Sequence, residues 1–174
     1  MLNDPVAVAV SGANLFVADF DSNVIIEYTT SGAAVNTSLI SGLIHPVAVA
    51  VSGPNLFVTN HGSNTIGEYT TTGTTVNASL ISGLNDPEGI AVSGENLFVV
   101  DDNNFAGTIR EFTTSGATVN ASLVFGLNFP TGIAVVPEPS TWKLLAAGTG
   151  AVLLFGLSHR SRDSSRCRLV RLTR

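Results

Sequence analysis

Three tandem copies of one segment make up most of the chain. The first runs from Pro5 as PVAVAVSGANLFVADFDSNVIIEYTTSGAAVNTSLISGL and the second from Pro46 as PVAVAVSGPNLFVTNHGSNTIGEYTTTGTTVNASLISGL. The third runs from Pro87 as PEGIAVSGENLFVVDDNNFAGTIREFTTSGATVNASLVFGL. Successive starting prolines lie 41 residues apart, and Pro130, which opens a fourth copy ending at PTGIAVV, lies 43 beyond Pro87. The two additional residues fall within 103–107. A unit that recurs like this folds the same way each time and buries its apolar faces against its neighbours.

Each copy divides into four short apolar or β-branched runs. In the first copy they are Val6–Val10, Asn14–Phe20, Val24–Thr30 and Ala34–Ile40. Ser11-Gly12, Asp21-Ser22-Asn23 and Ser31-Gly32 separate them, and Gly and Asn tolerate the positive φ of tight turns. The run VAVAV is apolar on both faces, which suits a strand held between two sheets. A helical repeat would show 3.6-residue spacing and few Gly-Thr turns. Four strands in 40 to 45 residues is the pattern of a propeller blade. The sequence therefore predicts an all-β partial β-propeller of three four-stranded blades plus one strand, followed by a short C-terminal hydrophobic helix. The repeats occupy 1–135, as 2–42, 43–83, 84–126 and a partial 127–135.

Composition narrows the functional classes. Charged residues are only 12% of the 174, about half the usual share, which excludes a charge-stretched disordered chain and a Glu/Lys-rich bundle. The lone Cys167 excludes a disulfide framework and any CxxC motif. Through Val136 there are eleven acidic residues against Arg110 alone, a net charge of −10. From Pro137 onward two acidic residues face seven basic ones, a net of +5. An acidic body repels nucleic acid and anionic membrane, so nucleic-acid binding is set aside.

The runs PEGIAVSGENLFVVDDN and LFVTNHGSNTIGEYTTTG resemble NHL-type and YVTN-type propeller repeats, and more loosely the streptogramin-lyase and lactonase propellers. The resemblance implies a fold rather than an activity, because such repeats serve many functions. Closed propellers use four to eight blades. Three blades and a strand therefore imply either that two chains complete a ring or that a longer protein supplies the rest. The start MLNDPVAV leads straight into the repeat with no signal-peptide pattern, so the chain reads as the C-terminal part of a longer protein.

Beyond Val135 the character changes. Val136-Pro137-Glu138-Pro139-Ser140-Thr141-Trp142 is followed by fourteen uncharged residues, Leu144–Leu157, and then by His159-Arg160-Ser161-Arg162. Two prolines one residue apart keep this tripeptide extended and accessible. A helix of the apolar run would be roughly 21 Å long, short of a hydrocarbon core of about 30 Å, which suits a processed signal better than a permanent anchor. The arginines would stay cytoplasmic and leave the repeats outside. VPEPSTW, the short hydrophobic stretch and the Arg cluster resemble the PEP-CTERM sorting signal of Gram-negative bacteria, over 136–162 with a helix at 142–157 and a basic tail at 163–174. The resemblance implies that a membrane-embedded exosortase recognises Pro137, Glu138, Pro139 and Ser140. Arg160 and Arg162 then form the cytoplasmic basic cluster. The expected partners are the exosortase and, before processing, the inner membrane; the expected destination is the cell surface or beyond. A buried C-terminal helix after a proline turn is the plainer alternative.

In the repeats, propeller topology puts the loop leading into strand one and the loop between strands two and three on one rim. Asp4, His45, Asp86 and Glu88 belong to the first kind or its edge; Asp19, Asp21, Asn60, His61, Asp101 and Asp102 belong to the second. Seven of the eleven acids thus share a rim, where oxygen ligands suit a hard cation such as Ca2+ and hydrogen-bonding groups suit a polysaccharide or protein ligand. Asp19, Asp21, Glu88, Asp101 and Asp102 are the metal candidates. Asx residues are also what turns use. Asp19-x-Asp21-x-Asn23 starts like a calcium loop but has Val24 where Gly is needed and no Glu at position twelve. The expectation is therefore of no cofactor. Glu27, Glu68 and Glu111 recur in strand three and read as structural. His45, His61, Glu88 and Asp102 do not recur, but no nucleophile motif accompanies them. Asn36, Asn77 and Asn120 each open an N-x-S/T triplet and also read as structural. The reading is a non-enzymatic exported surface module for binding or structure. The alternatives are a lyase or lactonase-type propeller enzyme with a metal on the acidic rim, and a purely structural matrix protein.

Overall fold

The turns decide the strand spacing. In a computed structural model, residues 2–103 and 106–136 are described, and each copy folds into four antiparallel strands. Blade one holds β1 (Pro5–Ser11), β2 (Asn14–Asp19), β3 (Val24–Thr29) and β4 (Ala34–Ile40). Blade two holds β5 (Pro46–Ser52), β6 (Asn55–Asn60), β7 (Thr65–Thr70) and β8 (Thr75–Ile81), with a 3-10 turn at His61–Ser63. Blade three holds β9 (Pro87–Ser93), β10 (Asn96–Asp101), β11 (Gly107–Thr113) and β12 (Thr118–Leu127). Ser11 pairs with Asn14 across a two-residue turn whose first residue, Gly12, has φ of 58°. That is the glycine position of a II′ turn, and the second position accepts Pro54 in blade two because its φ is negative. Strand order within every blade follows the chain.

Strands two and three end one residue before the sequence runs do. The Phe20 N–H bonds the Asp4 carbonyl and the Thr30 N–H bonds the Ala13 carbonyl, so both residues belong to turns rather than to the ladder. The turn between strands three and four also recurs. The Thr29 hydroxyl accepts the Ala33 N–H at 3.0 Å, as Thr70 does from Thr74 and Thr113 from Ala117.

Alternating side chains join the blades. Phe16, Ala18 and Ile25 of blade one pack with Val49, Leu56, Val58 and Tyr69 of blade two, backed by Ala7 and Ala9. The opposite face of blade two, with Ala48, Ala50, Phe57 and Ile66, packs with Ile90, Leu97, Val99 and Phe112 of blade three. The VAVAV run of β5 is thus held between two sheets as expected. In β1 the same run has one bare face: Val6, Val8 and Val10 are 46%, 59% and 56% exposed. Among the described residues no blade lies on that side. At the other end, residues after Pro130 lie against blade three, where a Cβ added to Gly89 would come within 3.1 Å of Gly132. The fourth copy therefore takes its inner position, but the strand expected there does not form over 131–136, and among the described residues no strand pairs with it.

Backbone contacts reinforce the side chains. Gly73, in the β7–β8 turn with φ of 88°, lies so close to blade one that a Cβ there would overlap the Leu39 carbonyl. Gly116 lies the same way on Leu80, with 2.6 Å to its carbonyl. Gly32 is the counterpart in blade one and would meet nothing within 4 Å. The helix expected at 142–157 and the basic tail lie outside the described residues.

Candidate functional site

The rim forms as topology requires, and its residues divide into clamps and a small open group. The Asp19 carboxylate accepts the backbone N–H of Asn3 at 2.7 Å, of Asp4 at 3.2 Å and of Ser22 at 3.1 Å. Burial pushes its pKa up, but these donors outweigh burial and hold it below the ordinary value. Asp101 repeats the clamp by accepting the Asn85 N–H at 2.6 Å, and its second oxygen takes Arg110 Nη1 at 2.9 Å. Arg110 also lies over the Phe112 ring, 5.1 Å from its centre. Asn60 holds the equivalent buried position in blade two. Two of the metal candidates are thus committed to lead-in loops. Asp21 is exposed and accepts from the Asn3 side-chain amide at 3.4 Å.

Asn23 and Asn64 tie consecutive blades together. Both sit in the left-handed region, with φ of 58° and 57°. Asn23 Oδ1 accepts the His45 N–H at 2.7 Å, and Asn64 Oδ1 accepts the Asp86 N–H at 3.0 Å. His45 stacks on Phe20 with ring centres 4.4 Å apart. Sequence reasoning took Asn23 only as a turn residue and as part of a calcium-like run and passed over Asn64, although their 41-residue recurrence was a usable signal. It also counted Arg110 only as a charge.

The open group lies where the inner strands begin. His61 Nε2 is 3.5 Å from a Glu88 oxygen and 3.9 Å from an Asp86 oxygen, with each side chain about one-third exposed. Burial raises the Glu88 pKa against the pull of His61, and the charges of Asp102 and Asp86 push it further up. Burial and then Asp86 raise that of Asp102. A cavity of about 570 Å³ is lined by Asp4, Val6, Phe20, Val47, His61, Glu88 and Thr131. Of the non-recurring residues, the structure brings His61 and Glu88 into this cavity and places His45 on Phe20 beside it. The group can accept hydrogen bonds from hydroxyl or amine groups of a ligand. Among the described residues no cluster of three His, Cys, Asp or Glu is arranged to hold a metal ion.

The recurring acids lie elsewhere. Glu68 accepts the Asn55 side-chain amide at 2.8 Å and Glu111 that of Asn96 at 2.9 Å, and blade one carries the same residue pair at Asn14 and Glu27. Asn36, Asn77 and Asn120 each accept the N–H of the serine two residues on, along the exposed outer strands.

The sorting tripeptide, Ser140, Arg160 and Arg162 lie outside the described residues, but their sequence is decisive. Residues 135–161 match the PEP-CTERM protein-sorting motif. The motif indicates a secreted protein that an exosortase processes on its way to the cell surface. Among the described residues no helix is long and apolar enough to cross a membrane. No curated protein matches the chain. Among solved structures it is similar to a nidogen/laminin complex chain, with a TM-score of 0.68, 21% identity, and coverage of 76% of this chain and 52% of that one. It is also similar to a streptogramin B lyase, with a TM-score of 0.60, 19% identity and coverage of 74% and 44%. A gluconolactonase from Xanthomonas campestris follows, with a TM-score of 0.52, 13% identity and coverage of 62% and 42%. At these identities the likeness shows the β-propeller fold alone. The chain spans about half the length of the first two.

Proposed function

We propose that this chain is an exported propeller module that binds a ligand at the cell surface after exosortase cleavage beside Pro137-Glu138-Pro139. The observation that carries the reading is the order of parts: a propeller arc through Val136 runs directly into the sorting motif at 135–161. An acidic, hydrogen-bonding cavity beside His61 and Glu88 supports a polar ligand such as an extracellular polysaccharide. The hydrophobic run holds the precursor in the inner membrane until cleavage, with Arg160 and Arg162 on the cytoplasmic side.

The test is expression behind a cleavable secretion signal, with an epitope tag ahead of Leu2, in a host with an exosortase and in its exosortase-deleted derivative. The tagged chain is expected to shorten and reach the surface only where the enzyme is present. Replacing Pro137 and Pro139 together by Ala is expected to leave it full length in the membrane. Equal processing in both hosts would overturn the reading. A second reading, a lyase or lactonase acting through the rim, is favoured by the His61–Glu88 contact and by the fold shared with a lyase and a lactonase. Calcium titration by calorimetry tests its metal-dependent form: a site there would release or absorb heat and raise Tm.

A further inference from the structure

The chain runs toward its sorting motif through the rim that carries almost no charge. Strand one of every blade starts at the acidic rim and ends at a turn on the other, as β1 does from Pro5 to Ser11. Residues 130–136 follow the same course without forming a strand. Pro130 lies at the acidic rim against Gly107, where β11 begins, and Thr131 lines the cavity there. Gly132 and Ile133 then pass Gly89, two residues inside β9. Val136 holds the repeat position of Ser11, Ser52 and Ser93, so the chain is directed to the opposite rim as it enters Pro137-Glu138-Pro139. The two rims differ in charge. Seven acidic residues lie at the cavity rim, whereas the turns of the opposite rim, at 11–14, 30–33, 52–55, 71–74, 93–96 and 114–117, hold Glu95 as their one charged residue. Inner strands of six or seven residues set the rims about 20 Å apart, more than two Debye lengths at physiological salt.

Resting on the reading that the precursor is held in the inner membrane, we propose that its propeller stands with the uncharged rim against the bilayer and the acidic rim facing away. Two independent features favour this. Eight residue steps join Val136 to Leu144, the start of the apolar run, and a chain covers at most about 29 Å in eight steps. In the proposed arrangement that length has only to bridge rim and bilayer. Turned over, the propeller would make the tether run back about 20 Å along its side before reaching lipid. It would also bring the acidic rim within a Debye length of anionic headgroups, where like-charge repulsion is least screened. The cavity beside His61 and Glu88 is thus open to its ligand before cleavage as well as after. The arrangement holds for any number of blades, because every blade presents the same two rims.

Energy transfer to a labelled bilayer measures which rim is near it. The uncleaved full chain carrying Cys167→Ser is made in a host without an exosortase and purified in dodecyl maltoside. It is then reconstituted into vesicles of phosphatidylethanolamine and phosphatidylglycerol. Single cysteines are placed at exposed turn positions, with Ala13→Cys and Ala33→Cys on the uncharged rim and Ser22→Cys and Ser63→Cys on the acidic rim. Each carries a fluorescent donor, and the vesicles carry a headgroup-linked acceptor in both leaflets, so the direction of insertion does not matter. Two positions on each rim keep the comparison should one variant fail to fold. Relative to acceptor-free vesicles, the donors at 13 and 33 are expected to lose more emission than those at 22 and 63. Equal losses, or a greater loss at 22 and 63, overturn the proposal and leave the membrane-held precursor standing. A chain that fails to float with the vesicles is not held by its apolar run, and that outcome overturns both.

Discussion

Replacing Asp19 by Asn tests whether the lead-in loops are held by carboxylate clamps. The amide keeps one acceptor, which can still take the Asp4 and Ser22 N–H groups, but its NH2 then faces the Asn3 N–H that now lies 2.7 Å from Oδ2. One hydrogen bond to a charged group is lost, about 1.5–3 kcal/mol, and the other two weaken as the charge goes. Burying a neutral amide instead of a carboxylate offsets part of this, so about 2 kcal/mol of net loss is expected at pH 7. With m of about 1–3 kcal/mol/M, the urea midpoint of the full chain at fixed concentration falls by about 1 M. The sign with pH is also set. The folded pKa of Asp19 lies below its ordinary value, so its contribution is fully present above the unfolded value, near 3.9, and is lost as pH falls through the folded value. Asp19→Asn should thus lie furthest below the parent at pH 7 and approach it toward pH 2. An unchanged midpoint at pH 7, or a gap that widens on acidification, would refute the clamp.

Two further outcomes are expected. Gly73→Ala combines left-handed strain with a Cβ that overlaps the Leu39 carbonyl, whereas Gly42→Ala, with φ of 73° and nothing within 4 Å, carries strain alone. The strain costs about 1–2 kcal/mol in each, so a larger drop in Tm for Gly73→Ala reads the contact between blades, and equal drops would deny it. Because burial and its acidic neighbours raise the Glu88 pKa, the carboxylate form is disfavoured in the fold, and the parent gains stability as pH falls through the folded value. Glu88→Gln is expected to raise the urea midpoint slightly at pH 8 and to lose that advantage by pH 5. A less stable variant at pH 8 would show that the contact with His61 dominates.

The blades were legible because three copies repeat every local signal: the Gly at the first position of a II′ turn, the Thr-x-x-Gly turn, the alternating apolar faces. The rim was legible for the same reason, since strand direction alone assigns each loop to a side. What one strand's pattern could not show was a partner in another loop. Asp19 and Asp101 read as ligand oxygens from composition, and only the fold reveals the backbone N–H groups aimed at them. Arg110 sits nine residues from Asp101 in sequence and is paired by the ladder between β10 and β11. His61 and Glu88 come from different blades, so no spacing within a repeat announces their contact. Nor could β1 be told from β5, because VAVAV is the same in both and only the presence of a preceding blade separates a buried strand from a bare one.

The pressing of each turn glycine on the preceding blade has a consequence for how such a chain can change over generations. Every interior junction uses the same contacts at the same spacing, so a recombination that inserts or deletes one whole 41-residue unit rebuilds every junction it disturbs. Repeat stability is then close to a sum over units and junctions, and adding a unit adds one of each. Copy number is free to drift, while a deletion of a few residues within a unit would move a glycine off its carbonyl and be eliminated. The two residues gained near position 103 fall in a rim loop, away from the Gly116–Leu80 contact, where length can vary without shifting a junction.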